Sequence, residues 1–206
     1  MDLDERAYPL TAGYLRSLPH GLQSFPACKV RSSVFEDIKQ DFPELGQRHP
    51  LPPIVRNAID GNCGEEWIAE VVGNALFMVM RDSVLDSDDK FMEWHRGNMR
   101  RLYGKPLNRA LIYIFSPTLL IMGATKRWNH FHLGSELVAG PVTEADGLMR
   151  GTARFVSPEN VFNELLLRRL TISFEVALEG SRAREPQVEW QQVSATDSLY
   201  NVSWKK

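Results

Sequence analysis

The chain has 206 residues, 43% of them hydrophobic and 24% charged, with a formal net charge of −2 and a pI near 6.2. This composition is that of a globular chain rather than a disordered or membrane one, and the length predicts one domain, or two subdomains sharing a core. The small negative net charge argues against broad attraction to nucleic acid or to an anionic bilayer.

The opening Met1-Asp2-Leu3-Asp4-Glu5-Arg6 is acidic and has neither the basic nor the apolar region of a secretory signal. Together with Cys28 and Cys63 read as reduced thiols, this predicts a cytoplasmic setting. Residues 1–62 form a proline-rich arm, with Pro9, Pro19, Pro26, Pro43, Pro50, Pro52 and Pro53 spaced so that no helix runs long. Within it, Ser32-Ser33-Val34-Phe35-Glu36 caps a short helix ending before Pro43, and Pro52-Pro53 opens another ending near Gly61.

Residues 63–128 predict a helical layer. From Trp67, apolar residues recur at helical spacing through Ile68, Val71, Val72, Ala75, Leu76 and Val79, and Phe77, Met78 and Met80 widen the arc nearly all round. A helix of that kind is central and buried. Asp88-Asp89 start a second helix with acid at its positive end, and Phe91, His95, Met99 and Leu102 form its apolar stripe up to Gly104. Pro106 starts a third, Leu107 to Phe115, and Ser116-Pro117 caps a fourth running to about Arg127. The longest apolar run, Ala110 to Phe115, is interrupted by Ser116-Pro117, and even the segment up to Met122 falls short of the roughly 20 residues of a membrane span, so no membrane partner is expected.

Residues 129–206 predict an antiparallel sheet with a helix. Ser135 to Ala139 and Met149 to Val156 alternate as a hairpin, and Gln187 to Val193 and Leu199 to Trp204 as a second pair. Residues 158–179 carry two periodicities: Ser157-Pro158-Glu159 and the spacing of Phe162, Leu166, Leu170, Phe174 and Leu178 predict a helix, whereas residues 170–176 alternate like a strand. The cap and the stop at Gly180 decide for one long helix. The expected fold class is α+β, an N-terminal helical layer followed by a C-terminal ββαββ antiparallel sheet with one long helix.

The densest chemistry lies in Trp128-Asn129-His130-Phe131-His132-Leu133-Gly134. His130 and His132 would share one side of an extended segment, a spacing used by metal sites, with His95, Asp86, Asp88 or Asp89 as conceivable third ligands; bracing of a helix-to-strand junction is the stronger reading. His95 and Asn98 sit on or beside an apolar stripe and must find hydrogen bonds, in a structural anchor or in a pocket. Asp86-Ser87-Asp88-Asp89 lacks the glycine and distant glutamate of a calcium loop and reads as a helix start. Arg96, Arg100, Arg101, Lys105 and Arg109, with Lys126 and Arg127, form a basic cluster, read mainly as a solvated face. Phosphate-loop, dinucleotide and nucleophile-elbow motifs are absent.

Several segments resemble a large paralogous family of myxobacterial proteins of about 200 residues, a domain of unknown function. They are Leu18 to Leu22 with Cys28-Lys29-Val30, Trp67 to Glu70, Arg81-Asp82, Pro106 to Leu111, Ser116-Pro117, Arg127-Trp128, Phe131 to Ser135 and Asn201 to Trp204. Leu133 departs from the pattern, standing where a basic residue is expected. The resemblance implies relatives without implying an activity. In architecture alone the chain is also similar to helical-plus-sheet ligand-binding domains of vesicle tethering and nitric-oxide sensing.

These observations predict a non-catalytic intracellular signalling or interaction module, with a ligand held between helices and sheet by Trp128, His130, His132, His95 and Asn98, and with no cofactor. The ligand or protein partner and the oligomeric state are not encoded in these motifs. The alternatives are a metal-dependent enzyme using His130 and His132, and a nucleic-acid-binding protein using the Arg96 to Arg109 cluster.

Overall fold

The computed structural model describes residues 3–47, 49–61, 64–105 and 116–206. The fold is α+β, and the chain divides into two compact units. The first comprises Met1–Phe91, Phe131–Ser135 and Pro158–Asn163; the second comprises Met92–His130, Glu136–Ser157 and Glu164–Lys206.

The first unit opens with helix α1 (Pro9–Ser17). The expected arm thus contains a regular helix, because a proline at the first helical position costs no hydrogen bond. Strand β1 (Lys29–Arg31), a 3₁₀ turn over Ser32–Phe35, α2 (Ile38–Asp41) and α3 (Pro53–Ile59) follow. The second short helix opens at Pro53 as expected, whereas the first starts only at Ile38, because the expected cap over Ser32 to Phe35 forms the 3₁₀ turn instead. Strand β2 (Trp67–Ala69) leads directly into α4 (Glu70–Met80), every residue of which is buried. The helix therefore begins at Glu70, three residues later than the apolar spacing suggests. Trp67, Ile68 and Ala69 instead pair with β1, which also pairs with β3 (His132–Leu133), in the order β2-β1-β3.

Around α4 the contacts are close. Gly73 faces the Phe35 ring and Val30 where any Cβ would collide, and Phe77 stands between Phe35 and Phe91 at 5.4 and 6.1 Å between ring centres. The start of α1 is closed from a distance, by Asp82 in the π-helical turn Arg81–Leu85 that extends α4. Its carboxylate accepts from the Leu10 and Thr11 amides at 3.1 and 2.9 Å and from the Thr11 hydroxyl at 2.8 Å. A carboxylate placed there satisfies orphan amides and complements the helix dipole.

Helix α5 (Asp88–Gly104) buries Phe91, His95 and Met99 as the stripe predicts, with Leu102 half-buried. The expected third helix, 107–115, lies outside the described residues. The fourth is two helices, α6 (Pro117–Met122) and α7 (Ala124–Phe131), parted at Gly123. Ser116 caps α6 by accepting from the Leu119 amide at 3.4 Å.

The sheet of the second unit has five strands: β4 (Glu136–Ala139), β5 (Thr143–Ala145), β6 (Leu148–Val156), β7 (Arg184–Ser194) and β8 (Asp197–Lys205). They run antiparallel in the order β4-β6-β8-β7, with β5 also on β6. Asp146 and Gly147, both at positive φ, make the two-residue turn that joins β5 to β6, the geometry this pair of residues favours.

Helix α8 (Glu164–Gly180) begins six residues after Pro158. Asn160 at φ +62° turns the preceding segment away, so the strong cap signal at Ser157-Pro158-Glu159 opens a turn rather than the helix. The four-residue spacing is obeyed beyond Glu164, and the strand-like alternation of 170–176 is overridden. Leu178 of α8 packs with Val202 and Trp204 of β8 and with Leu120 and Ile121 of α6. The Phe174 and Tyr200 rings lie 5.2 Å apart, and the Tyr200 hydroxyl donates to the Leu167 carbonyl at 2.9 Å.

Candidate functional site

Alternation along β6, β7 and β8 divides their side chains between two faces. Tyr200, Val202 and Trp204, with their register partners Ala153, Gly151 and Met149 on β6 and Trp190 and Val188 on β7, occupy the face that carries α8. The other face is polar. One row across it is Thr143, Arg150, Ser203 and Gln187, and the next is Thr152, Asn201 and Glu189. These two rows line an open groove of about 630 Å³, together with Pro141, Leu148 and backbone of Gly151 and Val202. That volume lies within the range of small-molecule sites, and the lining offers hydroxyl, amide, guanidinium and carboxylate groups.

The five candidate ligand-binding residues do not line this groove. His132 belongs to the first unit, whereas His95, Asn98, Trp128 and His130 belong to the second. His130 is exposed in the last turn of α7, whereas His132 is in β3, so a helix-to-strand change separates the two and they do not form the extended pair a shared side requires. Among the described residues no group of three or more His, Cys, Asp or Glu side chains is placed to hold a metal ion. Of the conceivable third ligands, Asp88 is bonded by Arg81 at 2.6 Å and Asp86 by Lys90 at 2.8 Å. Trp128 is half-buried rather than enclosed, with its ring edge-on to Phe155 at 5.1 Å.

His132 instead completes a buried polar cluster that the sequence does not announce. Its Nδ1 lies 2.9 Å from Glu70 Oε2, and the side chains of His132 and Glu70 are 12% and 2% exposed. The β1 register sets Val30 opposite His132, and the Glu70 amide donates to the Cys28 carbonyl at 2.9 Å. Burial, with the Glu70 charge nearby, pushes the Cys28 thiol up to about 12, which makes it a poor nucleophile. Burial also raises the Tyr14 phenol well above its ordinary value, and its hydroxyl donates to the Val161 carbonyl at 2.9 Å. Asn74 donates to the same carbonyl at 2.8 Å. This is a bracing cluster: its groups are enclosed, protonated or hydrogen-bonded.

His95 is fully enclosed in the second unit, its Nε2 2.9 Å from the Ser173 hydroxyl. Burial first, then the Arg169 and Arg96 charges, hold its pKa well below the ordinary value. The folded state therefore keeps His95 neutral, while the unfolded chain takes up a proton as pH falls through about 6.5. Below that pH the unfolded state binds more protons, so stability is full above about 6.5 and declines beneath it. Comparing urea midpoints at pH 7.5 and 5.0, we expect His95→Leu to abolish a loss of about 1–2 kcal/mol in the parent protein. Equal losses in both proteins would assign the decline elsewhere.

Asn98 is buried, and its Oδ1 accepts from Arg101 at 3.4 Å. Two members of the basic cluster are paired by α8: Arg96 with Glu175 and Glu179, and Arg100 with Glu179 at 3.0 Å. Arg127 is half-buried and Lys126 exposed, while Arg109 lies outside the described residues. No protein-family model matches the chain, and neither curated proteins nor solved structures give a match.

Proposed function

We propose that the protein is a non-catalytic binding module of a signalling or interaction system, and that its second unit holds a small polar ligand in the groove on the sheet face turned away from α8. The observation that carries this reading is the groove itself, about 630 Å³ and lined by seven polar side chains from four adjacent strands. The proposal moves the ligand from the helix–sheet junction to the outer sheet face, and leaves Trp128, His95 and Asn98 as packing residues. Kinship with the myxobacterial family stays part of the proposal and adds no activity to it. No helix among the described residues is long and apolar enough to cross a membrane.

The test is a thermal-shift screen of polar metabolites and short peptides against the parent protein and Asn201→Trp, which fills the centre of the groove from an exposed strand position. A true ligand at 100 times its Kd adds about 2.7 kcal/mol to the parent protein and nothing to the variant. Stabilisation that survives Asn201→Trp would move the site elsewhere. A screen without a stabilising compound would reject the small-ligand reading.

A further inference from the structure

The only charged side chains lining the groove, among the described residues, are Arg150 and Glu189. Other charges on the same sheet face pair locally: Arg154 with Asp197, and Lys205 with Glu185 at 2.5 Å. Arg150 and Glu189 enter no ion pair among the described residues. The register sets their separation. Arg150 on β6 faces Ser203 on β8, which faces Gln187 on β7, and Glu189 lies two residues further along β7. Two strand spacings of about 4.8 Å and two residues of about 3.4 Å place their Cα atoms roughly 12 Å apart, on different rows of the groove.

Each charge has neutral hydrogen-bonding neighbours on both sides or one. Arg150 stands between the Thr143 and Ser203 hydroxyls, and Glu189 beside Asn201, itself opposite Thr152. The first arrangement suits a carboxylate, which a guanidinium takes with two parallel hydrogen bonds while hydroxyls donate to its remaining lone pairs. The second suits an ammonium, accepted by the carboxylate and an amide oxygen. A single amino acid separates its charges by too little to touch both. A chain of three residues spans roughly 10–11 Å when extended.

Resting on the groove reading, the geometry points to a zwitterionic short peptide as the ligand, a free tripeptide whose C-terminal carboxylate meets Arg150 and whose N-terminal ammonium meets Glu189. Recognition is of the two termini and their separation, and the lining holds no deep pocket chemistry for particular side chains.

The test uses trialanine, its N-acetyl form, its C-terminal amide and the doubly blocked peptide, titrated calorimetrically into the parent protein, Arg150→Gln and Glu189→Gln. Both substitutions are at exposed positions of formed strands. Trialanine is expected to bind the parent, with each block weakening it tenfold or more. Arg150→Gln should lose sensitivity to amidation alone, and Glu189→Gln to acetylation alone. Failure of trialanine to bind, or four peptides binding equally, overturns the inference. The groove reading falls separately, by the Asn201→Trp screen: a non-peptide ligand displaced by that substitution would keep the groove and reject the zwitterion.

Discussion

Replacing His132 by leucine is expected to lower the free energy of unfolding by about 3–5 kcal/mol, the range for breaking a buried pair on one side. The reason is what stays behind. Glu70 is 2% exposed, and its carboxylate would keep its place at the start of α4 without the imidazole 2.9 Å away. The paired substitution Glu70→Leu with His132→Leu removes both polar groups, and we expect it to recover most of the loss, since two apolar side chains in such a place are often neutral or better. Urea denaturation of the two single variants and the double variant closes the cycle. Additive losses would mean that Glu70 and His132 act independently and that the pair has no role in bracing β3 against α4.

A comparable loss is expected from Gly134→Ala. At φ +75°, a Cβ on Gly134 would stand 2.6 Å from the Ala27 carbonyl oxygen and 2.8 Å from Cys28 Cα, both backbone atoms that cannot swing aside. Left-handed backbone costs a non-glycine residue about 1–2 kcal/mol, and forced overpacking adds about 1–3. Gly147 supplies the control, because it shares φ +75° and has nothing within 4 Å of its would-be Cβ. Gly147→Ala should therefore show the backbone cost alone. Chemical denaturation of both variants separates the terms, and equal losses would remove the close approach of residue 134 to the Ala27-Cys28 backbone from the account.

Gly134 also shows why the Trp128 to Gly134 segment was legible as a feature but not as a site. Two histidines two residues apart invite a metal reading only if the chain is extended through both. Here α7 continues through Phe131, so the segment changes conformation between the two rings. The partner that gives His132 its role, Glu70, is 62 residues away, and no local spacing reports such a pairing. Glu70 was hidden further by its position, where an acid at a helix start has an ordinary electrostatic explanation.

Long periodic elements were readable, and short ones were not. The apolar arc of α4, the stripe of α5 and the alternation of β6, β7 and β8 each repeat often enough to identify the element and the face it buries. Strands β1, β2 and β3 have two or three residues and exist because they pair with one another. At α8 the period was right and the start wrong, since the chain between Pro158 and Asn163 is recruited by distant groups, Tyr14 and Asn74, rather than by its own helix. The groove has no linear signature either. Its residues are the polar halves of ordinary alternating strands, and only their register assembles them.

The chain passes between its two units five times, so neither is a continuous stretch of sequence. During synthesis the first unit cannot be completed when residue 91 leaves the ribosome. It still waits for the strand at His132 and for the carbonyl of Val161, on which Tyr14 and Asn74 both depend. Roughly four-fifths of the polypeptide must emerge before the earliest helix finds its last partner. The first unit is therefore completed late, and neither unit can be cut out as one continuous stretch that recombination could pass separately to other proteins.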